Sequence, residues 1–348
     1  MANPLRVGIL FGGRSAEHEV SVVSAQGVMG SIDRERFQVV PLGVTRDGSW
    51  LTPEETQAAL AAINAERLAS LAPSLASGGI RPQALAALRG LDVVFPLVHG
   101  TFGEDGSLQG LLEMLDIAYV GAGVAASAVG MDKALQQMIL RQAGLPVPQS
   151  LVVTESRWRD ESPALAREVE SQVGYPCFVK PANSGSSIGT SKVRSLEDLA
   201  DAMAEAFRFD RKALVEQAIE GRQVECSVLG NDRPQASPLG EIVFTREFYD
   251  YVAKYTPGST QYFFPARLSP EVDFRVCRDA EKAYRALGCA GAARVDFIVA
   301  PDGTPFILEV NTLPGMTGTS LVPKIAAGKG IPFPDLCERL LEGASLKA

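Results

Sequence analysis

Histidine is scarce. The 348-residue chain holds only His18 and His99, which leaves little material for His-based metal centres or imidazole relays. The five cysteines are odd in number, widely spaced and never arranged as C-x-x-C, so they read as reduced thiols of a cytoplasmic protein. Long hydrophobic runs are missing too. The least polar stretch, residues 118–131, is rich in Gly and Ala and ends at Asp132, well short of the ~20 apolar residues a membrane span needs. The opening residues, MANPLRVGILF, lack the cationic region, long apolar core and small-residue cleavage site of a secretion signal, so none is expected. Positive charge is not in excess: 33 Lys and Arg face 41 Asp and Glu, a formal net charge of −8. That balance excludes the global basic surface that draws proteins to nucleic acid or anionic lipid, and any anionic ligand must be held by local charges. The pattern G-x-x-x-x-G-K-[ST] does not occur, which excludes a Walker-type phosphate loop.

What is present is an ordinary globular composition, 46% hydrophobic and 21% charged. At ~100–200 residues per domain the length predicts two or three domains. Val7 to Phe11 is a short apolar run that meets Gly12-Gly13, and helical spacing follows from Ser15 to Ser24, the opening of an α/β unit. Phe37 to Val44 reads as a second strand, and Pro53 to Leu71 as an Ala-rich helix. Leu91 to Val98 is nearly continuous in apolar residues, as expected of a parallel strand covered on both faces. His99 then stands at a strand's carboxyl end, where ligands collect in open α/β sheets, together with the GGRSAE loop. The small-residue segment 119–130 marks the first domain boundary, and a helix capped by Asp132 should run to about Ala143. Further strands are expected at 151–153, 177–180, 214–219, 224–229, 240–245, 292–299 and 306–310, with helices at 155–173, 195–207 and 270–287.

The sharpest geometric inference comes from ARVDFIVAPDGTPFILEVN. Asp302-Gly303 is a strong hairpin turn signal; as a two-residue turn it pairs Asp296 with Glu309 and Arg294 with Asn311, all on one sheet face. Directly opposite side chains have Cβ atoms ~4.5–5.5 Å apart, so the two carboxylates repel unless a cation joins them. Oxygen donors of this kind suit Mg²⁺ or Mn²⁺, and without His or Cys here they do not favour zinc. A solvated polar face, neutralised by Arg294 and Asn311, is the alternative. In FVKPANSGSSIG a strand delivers Lys180 and a Gly/Ser-rich loop follows, a cradle for phosphate or else an exposed hairpin turn. Lys133 lies just inside a helix N-terminus, as a second phosphate cation or a surface lysine. In LFGGRSAEHEVS the acids of the first helical turn suit an ammonium or hydroxyl better than a phosphate; Glu17 either binds such a group or compensates the helix dipole. The Tyr-rich run 247–265, with Lys254, has the composition of a lid or of a packing loop.

These motifs, in this order, resemble the D-alanine:D-alanine ligases of the ATP-grasp superfamily: GGRSAEHEVS, VHGTFGEDG, MDK, FVKPANSGSS, the AKY loop, RVDF and LEVNTLPGMT. The resemblance spans nearly the whole chain. It implies an α/β protein with three-domain ATP-grasp architecture and an N-terminal Rossmann-like domain: residues 1–121, a central domain 122–213, and a C-terminal domain 214–348 carrying the metal site and the lid loop 247–265. It implies ATP-dependent joining of two D-alanines through an acyl phosphate, for peptidoglycan precursors. By matching motifs, Lys133, Lys180 and Lys254 would meet phosphates, Glu216 and the Gln217, Ala218 and Ile219 backbone the adenine, and Glu225, or Gln223 in its stead, the ribose. Asp296, Glu309 and Asn311 would bind two magnesium ions, or manganese. Glu17 would hold the first ammonium with His99 beside it, and Glu17, Ser186 and Tyr255 would form a hydrogen-bonded set. Arg294 and the Gly315 N–H would stabilise the oxyanion, and Ser320 and Leu321 would position the second carboxylate. Related ligases that make D-alanyl-D-lactate carry a histidine-containing lid; Lys254-Tyr255 here implies dipeptide formation instead. A cytoplasmic homodimer acting on small molecules is expected, without nucleic acid or membrane partners.

Overall fold

The computed structural model describes residues 3–62, 79–244, 260–318, 320–328 and 330–346. The expected helix at 53–71 is seen from Pro53 to Ala62, and its remainder lies outside these residues, as do Lys254 and Tyr255. Three sheets follow one another along the chain. The first joins β1 (Leu5–Gly12), β2 (Phe37–Val44), β3 (Val93–Pro96) and β4 (Ala118–Tyr119), all parallel, in the order β2-β1-β3-β4. From Val7 on β1 and throughout β3 its inner strands carry no polar side chain, because both faces are covered there. Val7, Ile9, Phe11, Val93 and Phe95 enter one core, while Leu10, Leu42 and Val94 enter another on the opposite face, the period of two that a strand imposes. The first of these cores is closed by the C-terminal helices Leu321–Gly328 and Phe333–Glu342, which contribute Val322, Ala326, Leu336 and Leu340. The chain's end thus returns to its beginning, and Arg36 ties it with ion pairs to Glu338 and Glu342.

The second sheet contains β5 (Ser150–Thr154), β6 (Cys177–Pro181), β7 (Ser191–Val193) and β8 (Lys212–Gln217), antiparallel in the order β5-β8-β6-β7. Helices Glu155–Gln172 and Leu196–Phe207 cover one face, packing Leu165, Val169, Leu199 and Met203 on Val179 and Val215. The other face presents Phe178, Lys180 and Glu216. The third sheet comprises β9 (Arg222–Leu229), β10 (Gln235–Ala236), β11 (Gly240–Phe244), β12 (Thr260–Phe263), β13 (Ala292–Val299) and β14 (Pro305–Asn311). Its order is β12-β11-β9-β13-β14 with β10 on β9. Val224, Cys226, Val228, Val295 and Phe297 form a core under helix Pro270–Ala286, and Glu225, Arg294 and Asp296 lie on the opposite face.

The limit expected at 121/122 falls between the first and second sheets, and the one expected at 213/214 falls inside a strand. A division at 213/214 cuts through β8, which is hydrogen-bonded to β5 and β6. Segment 119–130, expected to mark the first boundary, contains helix Val124–Met131, whose small residues permit close packing, and a Cβ on Gly130 would stand 2.6 Å from Thr312. Helix Lys133–Gln142, capped by Asp132 through Ala134 and Leu135 N–H groups at 3.1 Å, places Leu140 in the third core. Among the described residues no helix is long and apolar enough to cross a membrane.

Fully buried Gln136 seals the outer edge of β14. Its amide nitrogen donates to the Val310 and Gly130 carbonyls at 3.0 and 2.9 Å, and its oxygen accepts from Val310 N–H at 2.8 Å. Gln136→Leu keeps the bulk but leaves a buried strand N–H and C=O without partners, a loss of about 2–3 kcal/mol. Urea unfolding should show that loss; an unchanged midpoint would mean the clamp is dispensable.

Candidate functional site

The order β2-β1-β3-β4 places a topological switch point between β1 and β3, and ligands bind beyond the carboxyl ends of strands at such a point. Glu17 follows β1 and His99 follows β3, so the two meet there. The turn needs Gly12, whose φ is +95° and whose Cβ would lie 2.1 Å from the Val44 carbonyl oxygen. Glu17 occupies the N-cap of helix His18–Ser31 yet makes no side-chain cap bond; its Oε1 accepts a hydrogen bond from Ser186 in the Gly/Ser loop. Its carboxylate is therefore directed at the cleft and not spent on the helix. Ser186 and Ser187 both have positive φ, 50° and 59°, a costly conformation for residues with a Cβ. The loop connects the paired antiparallel strands β6 and β7, the hairpin connection that the sequence offered as one alternative.

His99 is buried, with Nδ1 3.0 Å from Glu104 Oε1, and its Nε2 has no hydrogen-bond partner among the described residues. Burial alone would lower its pKa, but the hydrogen bond and charge of Glu104, helped by Glu17, outweigh it and raise the value.

On the third sheet, register puts Glu225, Asp296 and Glu309 side by side across β9, β13 and β14, with Arg294 opposite Asn311 in the next row. The pairing of Asp296 with Glu309 agrees with the sequence expectation, but by a different route. Gly303 N–H bonds the Ala300 carbonyl at 2.8 Å and Ala300 N–H the Thr304 carbonyl at 2.9 Å, giving a three-residue loop that shifts the partners by one. A bulge between Asp296 and Phe297 then restores the register before the site is reached. Arg294 donates two hydrogen bonds to Asp296, both at 2.7 Å, and its Nε lies 3.1 Å from Glu225. Burial opposes its charge, yet Asp296 and Glu225 hold it protonated well beyond the ordinary range.

Two cavities open on these groups. The first, about 520 Å³, lies between the second and third sheets and is lined by Phe178, Lys180, Glu216, the 217–221 backbone and Asp296. Lys180 donates to buried Glu216, which also accepts from Gln137. The second, about 690 Å³, is lined by Glu17, His99, Arg294, Asn311, Gly315 and Ser320. Lys133, Ser184 and Glu309 line both, so the cavities adjoin where Lys133 Nζ stands 3.5 Å from Glu309 and donates to the Ser184 carbonyl. Ser186 and Leu321 also border the second cavity, and Gln217, Ala218 and Ile219 the first. Glu225, expected at the ribose, stands in the carboxylate row and borders the second cavity, while its alternative, Gln223, on the same face of β9, borders the first. Sequence reasoning missed Gln137 and Glu104, which orient Glu216 and His99, since a polar residue that supports another leaves no motif. Among the described residues no group of three or more His, Cys, Asp or Glu side chains is gathered to hold a metal ion as they stand.

Solved structures share this architecture. The VanG D-Ala:D-Ser ligase of Enterococcus faecalis is 34% identical with a TM-score of 0.82, over 97% of this chain and 99% of that one. The D-alanine-D-alanine ligase of Coxiella burnetii gives 34% and 0.82 over 98% and 94%. Fold and adjoining cavities define an ATP-grasp ligase. Residues 6–122 match the family described as D-ala D-ala ligase N-terminus, and residues 139–342 its C-terminus. Curated relatives include D-alanine--D-alanine ligase A of Escherichia coli K12, 46% identical over 97% of this chain and 95% of that protein. The D-alanine--D-alanine ligase of Geobacillus thermodenitrificans is 44% identical over 97% and 94%. The chain belongs to the D-alanine–D-alanine ligase family.

Because folding raises the pKa of His99, its charged pair with Glu104 stabilises the protein fully below the ordinary histidine value of 6.5, and this contribution is lost as pH rises through the raised value. The melting-temperature gap between wild type and His99→Gln should shrink from slightly acid to alkaline pH. A gap that widens instead would refute the assignment.

Proposed function

We propose that the protein joins two D-alanine molecules into D-alanyl-D-alanine at the expense of ATP, through an acyl phosphate. One observation carries this reading: a cavity with a cation and a strand backbone suited to a nucleotide adjoins a cavity suited to amino acids, at Lys133, Ser184 and Glu309. ATP would lie in the first cavity, with Glu216 and the 217–219 backbone toward the adenine and Lys180 and Lys133 toward the phosphates. Glu17 and His99 would hold the first D-alanine, so that its carboxylate oxygen attacks the γ-phosphorus as the bond to ADP breaks. The second D-alanine, its carboxylate at Ser320 and Leu321, would attack the acyl carbon with its amine, lose a proton and expel phosphate. Arg294 and the Gly315 N–H would stabilise the oxyanion, positioned charge being worth most where water is excluded.

The crowded carboxylates of Asp296 and Glu309, with the Asn311 amide, are hard oxygen donors that fit Mg²⁺ or Mn²⁺, two ions by the family resemblance. Such ions would supply positive charge to the phosphates, and Arg294 would give up part of its hold on Asp296. Lys254 and Tyr255 would close the site from the lid, and their presence in the sequence favours an amine acceptor. The matches to the D-ala D-ala ligase family models and to curated D-alanine–D-alanine ligases at 44% and 46% identity favour D-alanine as that acceptor. We place the protein in the cytoplasm as a homodimer, on the family resemblance. We also place its domain limits between the sheets, near 122 and 218, with residues 124–147 assigned to the third core.

Phosphate release from ATP should require D-alanine and not respond to L-alanine; release independent of D-alanine would sink the reading. Glu17→Gln should raise the KM for D-alanine on the order of tenfold or more, through the lost charge-assisted hydrogen bond, while the KM for ATP stays near wild type. Steady-state kinetics with each substrate varied in turn would check this, and a change confined to ATP would place Glu17 elsewhere.

A further inference from the structure

A closed ring of polar contacts fastens the second sheet to the helix that carries Lys133. Asp132, 7% exposed, caps helix Lys133–Gln142 and also accepts an ion pair from Lys212 at the start of β8. The Lys212 carbonyl accepts from Ala182 N–H at 2.8 Å, and the Ala182 carbonyl accepts from Lys133 N–H at 3.0 Å. Fully buried Ala182 is thus gripped from both sides at the point where the Gly/Ser loop begins. The same helix is bound to the third sheet by Gln136 and Leu140, so the ring lies where two sheets flanking the first cavity are joined. Asp210 adds a second tie on the loop side, accepting from Asn183 N–H and Nδ2, both at 2.8 Å.

We propose that Asp132 and Lys212 are positioning residues: their ion pair is a latch that sets the separation of the two sheets and holds Lys133 and the Gly/Ser loop in register for the nucleotide's phosphates. Neither side chain borders the cavities, so the pair acts through Lys133 and Ala182 and does not touch the ligand. A capping aspartate alone would need no lysine. The lysine adds a fixed relation between the helix end and β8, and that relation decides whether Lys133, on the helix, and Lys180, on β6, can act on one ligand. The argument rests on reading the first cavity as the nucleotide site.

Calorimetric titration of a non-hydrolysable ATP analogue tests it without any amino acid, so a failed latch and a failed D-alanine assignment give different results. Lys212→Met keeps the stem and removes the charge, while Asp132→Asn keeps a capping side chain. Each should weaken the analogue on the order of tenfold, and the double variant should be no weaker than the worse single one, as coupled residues require. Lys212→Arg should restore affinity to within about threefold of wild type, since the charge pair is retained. In turnover, the KM for ATP should rise more than the KM for D-alanine. Wild-type affinity in Lys212→Met, multiplicative effects in the double variant, or equal rises in both KM values would each overturn the proposal.

Discussion

Glu225, Asp296 and Glu309 stand side by side on neighbouring antiparallel strands, and Arg294 projects from the same face beside them. Like charges at that spacing destabilise a sheet, so the arrangement persists only because the guanidinium is locked to Asp296 and because Glu309 faces Lys133 from another element. Much of the remaining architecture follows from supplying these counter-charges. Helix Lys133–Gln142 must pass close to β14, and Gln136 holds it there by bonding the edge of that strand. The second sheet must present Lys180 toward the same space. Buried Glu216 makes that presentation specific, since removing its partner would leave a charge out of water without compensation.

The first sheet contributes through topology. A parallel order with a switch between β1 and β3 brings the turn after one strand and the end of the other to a single crevice. Glu17 and His99 are far apart in sequence and come from loops of unrelated composition. The return of the C-terminal helices to the first core then brings Gly315 and Ser320 against the same crevice. Met316 N–H bonds Ser24 Oγ at 3.2 Å, so the loop after β14 is seated on the helix that follows Glu17. A cavity lined by the two ends of the chain is built by burying apolar surface on both sides of one sheet.

Particular elements show how far sequence reading reaches. Phe37–Val44 and Ala292–Val299 are found at the expected limits because their apolar, β-branched runs are bounded by turn signals. The Asp302-Gly303 turn gave the right cross-strand partners although its loop is longer than assumed, since a bulge elsewhere in the hairpin offsets the difference. Local turn chemistry cannot announce a bulge that exists to aim Glu309. Segment 119–130 read only as a domain boundary for a related reason: small residues signal flexibility in isolation but close packing when another element approaches, as Thr312 does at Gly130. Glu225 and Gln223 share the polar face of β9, and only the packed sheets show that Glu225 borders the second cavity and Gln223 the first.

The sequence by itself determined the element types, the face shared by Arg294, Asp296, Glu309 and Asn311, and the kinship of the chain, because periodicity and motif order are local properties. Only the tertiary structure decided that Glu104 bonds His99, that Gln137 and Lys180 converge on Glu216, and that two cavities adjoin at Lys133 and Glu309. The last two relations join residues tens to hundreds of positions apart. They depend on how three sheets pack against one another, and burial and charge compensation, which fix that packing, are properties of the assembled molecule.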